Sequence, residues 1–165
     1  MDVQMLTPRT LERLFPYFAH GKVIHGFGRG GKQLGCPTAN LDESAVERLP
    51  GDFACGVYYG WANIDNGPVH QMVMSIGWNP HFKNRKQTME AHILHPFPSD
   101  FYGSLIKLVI SGFVREMRSF DSLDELIAAI NEDIRVSKEA LATVEMIKLR
   151  SHPYFQPGGE HRPKL

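Results

Sequence analysis

One stretch of this 165-residue chain gathers groups able to hold a phosphate. Gly26-Phe27-Gly28-Arg29-Gly30-Gly31-Lys32-Gln33-Leu34-Gly35 carries five glycines with Arg29 and Lys32. Glycines let backbone amides approach an anion closely, and the two cations add charge. Gly-x-Gly-x-x-Gly, from Gly26 to Gly31, is a dinucleotide fingerprint only where it opens a helix. Gly35-Cys36-Pro37 cannot readily form the body of one, so that reading fails its context. Gly26, four residues, then Gly31-Lys32 nearly matches a phosphate-binding P-loop, but Gln33 stands where a metal-binding hydroxyl is required. Anion binding survives both exclusions, against the plain alternative of a surface loop.

The next residues are Pro37-Thr38-Ala39-Asn40. In an extended segment Thr38 and Asn40 share a face, and both carry hard oxygen donors suited to Mg²⁺ with phosphates completing its shell. Elsewhere such a run is an ordinary turn; directly after a phosphate-type loop it reads as a metal site. In Thr88-Met89-Glu90-Ala91-His92-Ile93, a strand would point Glu90 and His92 to one side. A carboxylate there can take a proton from an attacking hydroxyl, although Glu and His on a solvated strand face are also common. The other histidines are scattered, with no local zinc-enzyme spacing.

Strands must carry most of these groups. His20 to Gly26 and Pro37 to Leu41 read as extended segments flanking the glycine loop. Ala54 to Ile64 is rich in aromatic and β-branched residues, Asp65-Asn66-Gly67 signals a tight turn, and Val69 to Trp78 is the returning strand. Thr88 to His95 and Ser104 to Arg115 follow, the latter with Ile106, Leu108, Ile110 and Val114 predicted on one face. Thr7-Pro8 with Leu11, Leu14 and Phe15 predicts a short N-terminal helix closed by Pro16. Ser122-Leu123-Asp124-Glu125 is a capping box. It opens the one long helix, with Leu123, Leu126, Ile127, Ile130, Ile134 and Leu141 at helical spacing and an end between Leu141 and Lys148. Hairpin signals without crossover helices argue for antiparallel strands that close into a barrel with the helix packed against it.

Composition sets limits on function. Lys plus Arg and Asp plus Glu both number 18, so a generic nucleic-acid binder is not expected and any polyanion must be held locally. Two cysteines, Cys36 and Cys55, fit no zinc knuckle and are expected as reduced thiols. No apolar run reaches the length of a membrane span and no signal peptide is evident, which predicts a soluble cytoplasmic protein. The ending Pro163-Lys164-Leu165 is similar to small-basic-Leu peroxisomal addresses, so a peroxisome-type organelle such as a glycosome is the alternative. The preceding Gln156 to Pro163 is expected to be exposed.

Taken together, the glycine loop running into Pro-Thr-Ala-Asn resembles the signature of the riboflavin kinases, or flavokinases. Gly56-Val57-Tyr58-Tyr59-Gly60-Trp61-Ala62 and Ser75-Ile76-Gly77-Trp78-Asn79-Pro80 are similar to the family. So are Met89-Glu90-Ala91-His92-Ile93, Asp100-Phe101-Tyr102-Gly103 and Phe120-Asp121-Ser122-Leu123. The matches run from about Tyr17 to Ile134 and resemble the eukaryotic monofunctional form, with no room for an adenylyltransferase domain. The resemblance implies a mainly β fold: a six-stranded antiparallel Greek-key barrel with a C-terminal helix. It implies one domain over 1–165, divided into an extension (1–16), barrel plus helix (17–150) and tail (151–165).

It further implies transfer of the ATP γ-phosphoryl group to the 5′-hydroxyl of riboflavin, giving FMN and ADP. Gly26 and Lys32 would cover the nucleotide phosphates, Thr38 and Asn40 would hold Mg²⁺ (or Zn²⁺), and Glu90 would be the base. Thr38, Ile93, His95 and Tyr102 match positions around the nucleotide, and Arg115, Arg118 and Phe120 match the segment closing over the flavin. A monomer is expected, without nucleic-acid or membrane partners. One departure stands out: where the family often has Arg-Pro-Glu, this chain has Arg115-Glu116-Met117. A non-catalytic flavin- or nucleotide-binding barrel would keep the ligand groups but has no need of Glu90. A dinucleotide-dependent oxidoreductase would need a βαβ alternation that the chain does not show.

Overall fold

In the computed structural model, residues 13–25, 38–78 and 87–161 are described. Six strands form a closed antiparallel barrel: β1 (Tyr17–Ile24), β2 (Thr38–Leu41), β3 (Gly56–Ile64), β4 (His70–Trp78), β5 (Gln87–Ile93) and β6 (Leu105–Glu116). The order around the barrel is β1-β2-β5-β4-β3-β6. Three strands in hairpin succession, β3 to β5, are flanked by β2 lying against β5, which is a Greek key. The β3–β4 turn is made by Asp65 (φ 49°) and Asn66 (φ 59°), with the Gly67 amide donating to the Ile64 carbonyl at 2.9 Å. Two left-handed central residues give the twist a two-residue hairpin needs, and Asp and Asn tolerate that region best among non-glycine residues.

Alternation on the strands separates two faces. Inward lie Ala39, Tyr58, Met72, Met74, Met89, Ala91, Ile93, Ile106, Leu108 and Ile110, all fully buried in one core cluster. The expected inward set on β6 breaks at Val114, which is half-buried, while Phe113 packs on the core instead. The cause lies in the β3–β6 register. Gly60 opposes Ile110 but Tyr59 opposes Gly112, and Tyr58 opposes Phe113 but Val57 opposes Arg115. Ser111 and Val114 are therefore extra residues, and each bulge flips the side chains beyond it.

α1 (Glu43–Glu47), which the apolar pattern does not announce, is capped by Asp42 and buries Ala45 against the core. α2 (Leu123–Leu141) is the long helix; Ser122 accepts from the Glu125 amide at 3.1 Å. The Glu125 carboxylate reaches back to the Asp121 amide at 3.1 Å. Leu123 stays exposed, and the buried positions of α2 are Ala129, Asp133, Ser137 and Leu141. The helix ends at Leu141, and Thr143 caps a further helix, α3 (Val144–Arg150). The tail then returns to the barrel wall: Tyr154 and Phe155 are buried with Phe18, Trp61, Val109 and Leu141. Lys107, fully buried on β6, donates to the Gln156 carbonyl at 2.7 Å and lies 2.7 Å from the Glu160 carboxylate. Of the stretch expected to be exposed, Gln156 to Gly158 are so, whereas Gly159 is buried and Glu160 half-buried. Residues 1–12, which include most of the predicted N-terminal helix, lie outside the described set; Arg13 and Leu14 form a turn. No helix among the described residues is long and apolar enough to cross a membrane.

Candidate active site

The chemistry-bearing residues of β2 and β5 meet because the two strands pair. Thr38 opposes His92, Ala39 opposes Ala91 and Asn40 opposes Glu90. Ala39 and Ala91 point into the core, so Thr38, Asn40, Glu90 and His92 share the outer face of the barrel wall. Directly opposed residues in an antiparallel pair have Cβ atoms about 5 Å apart, which brings the Asn40 amide and the Glu90 carboxylate within reach of one small ligand. On the other flank of β5, Ser75 opposes Glu90 and Val73 opposes His92. Ser75 in turn opposes Val57, and Val57 opposes Arg115. One cross-strand row thus runs Asn40-Glu90-Ser75-Val57-Arg115.

Strand direction gives this wall two ends. β1 finishes and β2 begins at one of them, so the glycine-rich segment leaves after Ile24 and re-enters at Thr38 there. Gly26 and Lys32 themselves lie outside the described residues. β5 also finishes at this end, and His95 and Tyr102 follow it. The His95 ring stacks on His70 (centroids 3.9 Å, 12° between planes), with Phe97 edge-on to both. The Tyr102 ring stacks on His25 at 3.7 Å. Burial first, then His95 and Arg150, hold the His70 imidazole below the usual histidine range. Ile93 belongs to the core, its side chain fully buried and its carbonyl accepting from the His95 amide at 2.9 Å. Its side chain is therefore remote from the outer-face cluster.

At the opposite end β6 delivers the segment from Arg115 to Phe120. Arg115 makes a bidentate pair with Asp133 of α2, Nε and Nη2 each donating to a carboxylate oxygen at 2.8 Å. Its guanidinium lies 5.6 Å from the Phe120 ring centroid, and that of Arg118 lies 5.0 Å from it. The three residues expected to act together are thus adjacent, and two of them, Arg118 and Phe120, line an open cleft of about 370 Å³ with Ala129 and Glu132. Met117 is exposed, as is Trp78 at the end of β4.

Several participants escape a reading of the chain alone. Asp133 left one trace, a carboxylate at the spacing of the apolar stripe of α2 between Ile130 and Ile134. His25 and His70 left none, because they reach Tyr102 and His95 only through the barrel. His92, which strand alternation already sets beside Glu90, is nine-tenths buried; burial keeps its imidazole below the usual histidine range, and its Nε2 has no hydrogen-bond partner among the described residues.

The donor chemistry of the wall suits a divalent cation. A hydroxyl and a carboxamide stand two residues apart on one strand face, and neither is engaged by another described side chain. Among the described residues no cluster of three or more His, Cys, Asp or Glu could hold a metal alone, so phosphate oxygens would have to complete the shell.

An antiparallel barrel with a hydroxyl, an amide and a carboxylate on its wall, beside a cationic glycine-rich connection, has the build of a phosphotransferase that works without a P-loop. Comparisons with known proteins narrow the class. The flavokinase family model, described as riboflavin kinase, matches residues 13–141. Riboflavin kinase from Homo sapiens is 51% identical over 144 residues, covering 87% of this chain and 93% of that protein. The bifunctional riboflavin kinase/FMN phosphatase of Arabidopsis thaliana is 45% identical over 140 residues, covering 85% of this chain and 37% of that protein. The crystal structure of riboflavin kinase from Trypanosoma brucei superposes with a TM-score of 0.69 at 29% identity, covering 91% of this chain and 92% of that one. The chain belongs to the riboflavin kinase family and is a kinase.

Proposed function

We propose that the protein transfers the γ-phosphoryl group of ATP to the 5′-hydroxyl of riboflavin, producing FMN and ADP. The observation that carries this reading is the face-to-face placement of Asn40 and Glu90 between two differently equipped ends of the wall. One end has the glycine-rich connection, His95 and Tyr102 and suits a nucleotide; the other has Arg115, Arg118 and Phe120 and suits a flavin.

Glu90 orients the ribityl hydroxyl and takes its proton as the oxygen attacks phosphorus in line. A new ribityl O–P bond forms, the bond from the γ-phosphorus to the bridging oxygen breaks, and ADP departs with the electron pair. Thr38 and Asn40 would hold Mg²⁺, with Zn²⁺ as the other candidate. Bound there, the cation neutralises charge on the phosphate oxygens. Lys32 and the amides around Gly26 cover the nucleotide phosphates. Tyr102 and His95 flank the nucleotide, with Ile93 supporting them from the core. The Phe120 ring lies against the flavin, with Arg115 and Arg118 at its margins. Phosphoryl transfer needs mainly positioning and charge neutralisation, so one base, one metal and one loop suffice. The protein works as a cytoplasmic monomer in this reading. Relocation from an organelle to the cytoplasm on deletion of Pro163-Lys164-Leu165 would select the peroxisome-type alternative.

Incubation with riboflavin, ATP and Mg²⁺, followed by chromatography, yields FMN in this reading. No FMN with any divalent metal overturns it. A Glu90→Gln variant that binds both substrates yet forms FMN about 100-fold more slowly or worse supports Glu90 as base, and full activity removes it from that role.

A further inference from the structure

His92 poses a question that the reaction as described leaves open. Its neighbours on β5, Ala91 and Ile93, are fully buried in the barrel core, so its ring lies on the outer face with Glu90. There it stands between Thr38 of β2 and Val73 of β4. The residue is only 9% exposed, and its buried Nε2 has no hydrogen-bond partner among the described residues. A buried polar atom left unpaired destabilises the free protein, and an apolar side chain of similar size would avoid that penalty. The neighbour Val73 is apolar and also buried, so it offers His92 no polar partner. The penalty is offset when a bound molecule presents a partner to Nε2.

The position of His92 says which part of a ligand that is. Glu90 lies in the row that ends at Arg115, on the flavin side. His92 lies one outward position further along β5, toward His95, and opposes Thr38. Along this wall the order is therefore flavin groups, Glu90, His92, nucleotide groups. We propose that His92 donates a hydrogen bond from Nε2–H to an oxygen of the terminal phosphate of ATP, holding the group to be transferred against Glu90 and its acceptor. The proposal rests on the phosphotransferase reading above and adds to it a residue that discriminates ATP from ADP.

The test measures binding without turnover. Wild-type, His92→Leu and His92→Gln proteins are titrated with a non-hydrolysable ATP analogue, with ADP and with riboflavin, all with Mg²⁺, and ligand-free melting is recorded. The expected result for His92→Leu is ligand-free stability no lower than wild type. Its affinity for the ATP analogue falls about tenfold or more, while ADP and riboflavin affinities stay within about twofold. His92→Gln, whose amide nitrogen reaches the position of Nε2, recovers most of the loss. Equal losses for the analogue and ADP, or no loss for either, overturn the proposal. A lower melting temperature of ligand-free His92→Leu with unchanged affinities assigns His92 to the fold instead and also overturns it. Should His92→Leu fail to fold, the analogue-to-ADP affinity ratio of His92→Gln and His92→Phe decides by the same criterion. FMN formation by the wild-type protein is measured separately: its absence overturns the kinase reading, while the affinities still judge His92.

Discussion

Asn40 and Glu90 face each other directly across the β2–β5 ladder. Backbone pairing in a closed barrel sets their separation, so neither depends on a loop to find the other. Sites built on strands hold their groups more tightly than sites built on loops. The ladder therefore fixes the backbone positions from which the carboxylate and the amide act.

Removing the amide should therefore damage turnover and spare the fold. Asn40→Ala is expected to lower kcat about 100-fold and to raise the Mg²⁺ concentration needed for half-maximal rate. Stability should change by no more than about 1 kcal/mol, since the inward neighbours Ala39 and Leu41 keep their packing. Steady-state FMN formation across a Mg²⁺ titration, paired with thermal melting, checks both halves. A wild-type metal dependence would remove Asn40 from the site.

The Arg115–Asp133 pair couples the end of the wall proposed to hold the flavin to α2. Its carboxylate is nearly buried and its guanidinium about one-fifth exposed. Asp133→Asn should destabilise by about 2 kcal/mol, because one partner of a largely desolvated pair loses its charge. Arg115 is then released, and KM for riboflavin should rise more than KM for ATP. Arg115→Lys cannot restore the two-pronged geometry and should behave similarly. Chemical denaturation and separate KM determinations test this; equal effects on both substrates would break the link to the flavin.

The barrel wall tolerates no side chain at Gly60. A Cβ there would sit 1.8 Å from the Val109 carbonyl oxygen, and that oxygen is backbone. Gly60→Ala should cost about 3 kcal/mol or more. Gly51, with nothing within 4 Å of a Cβ, is the control, and Gly51→Ala should change stability by no more than about 0.5 kcal/mol. Urea melts of the two variants make the comparison.

Acid should loosen the docked tail. Burial lowers the His152 pKa below the ordinary histidine value, and its Nδ1 accepts from the Tyr154 amide at 3.0 Å. The unfolded chain therefore binds a proton more readily than the folded one. Stability from this group is full above the unfolded pKa of about 6.5 and declines as pH falls through and below it. His70, also lowered, adds in the same direction. Hydrogen exchange of residues 151–161 should accelerate between about pH 7 and pH 5 relative to β3 and β4. His152→Gln should flatten that dependence, and an unchanged pH profile in the variant would dissociate the tail from this histidine.

Local signals in the chain settled much of this protein. Asp65-Asn66-Gly67 makes the hairpin because its own residues accept left-handed backbone, and Ser122 with Glu125 starts α2 because capping acts within one helical turn. Thr38 with Asn40, and Glu90 with His92, share a face because strand side chains alternate. Each of these rests on interactions a few residues long. The meeting of Asn40 with Glu90 is of another kind: it depends on which strands become neighbours when the barrel closes. So does the switch of inward residues at Ser111 and Val114, since a bulge exists only relative to the partner strand that lacks the extra residue. The Arg115–Asp133 pair, the stacked His70 and His95, and the burial of Lys107 under the tail likewise join residues far apart in sequence. Composition and spacing alone fix which side chains share a strand or helix face; tertiary structure decides what stands opposite them, because only barrel closure and the docking of α2 and the tail bring those partners together.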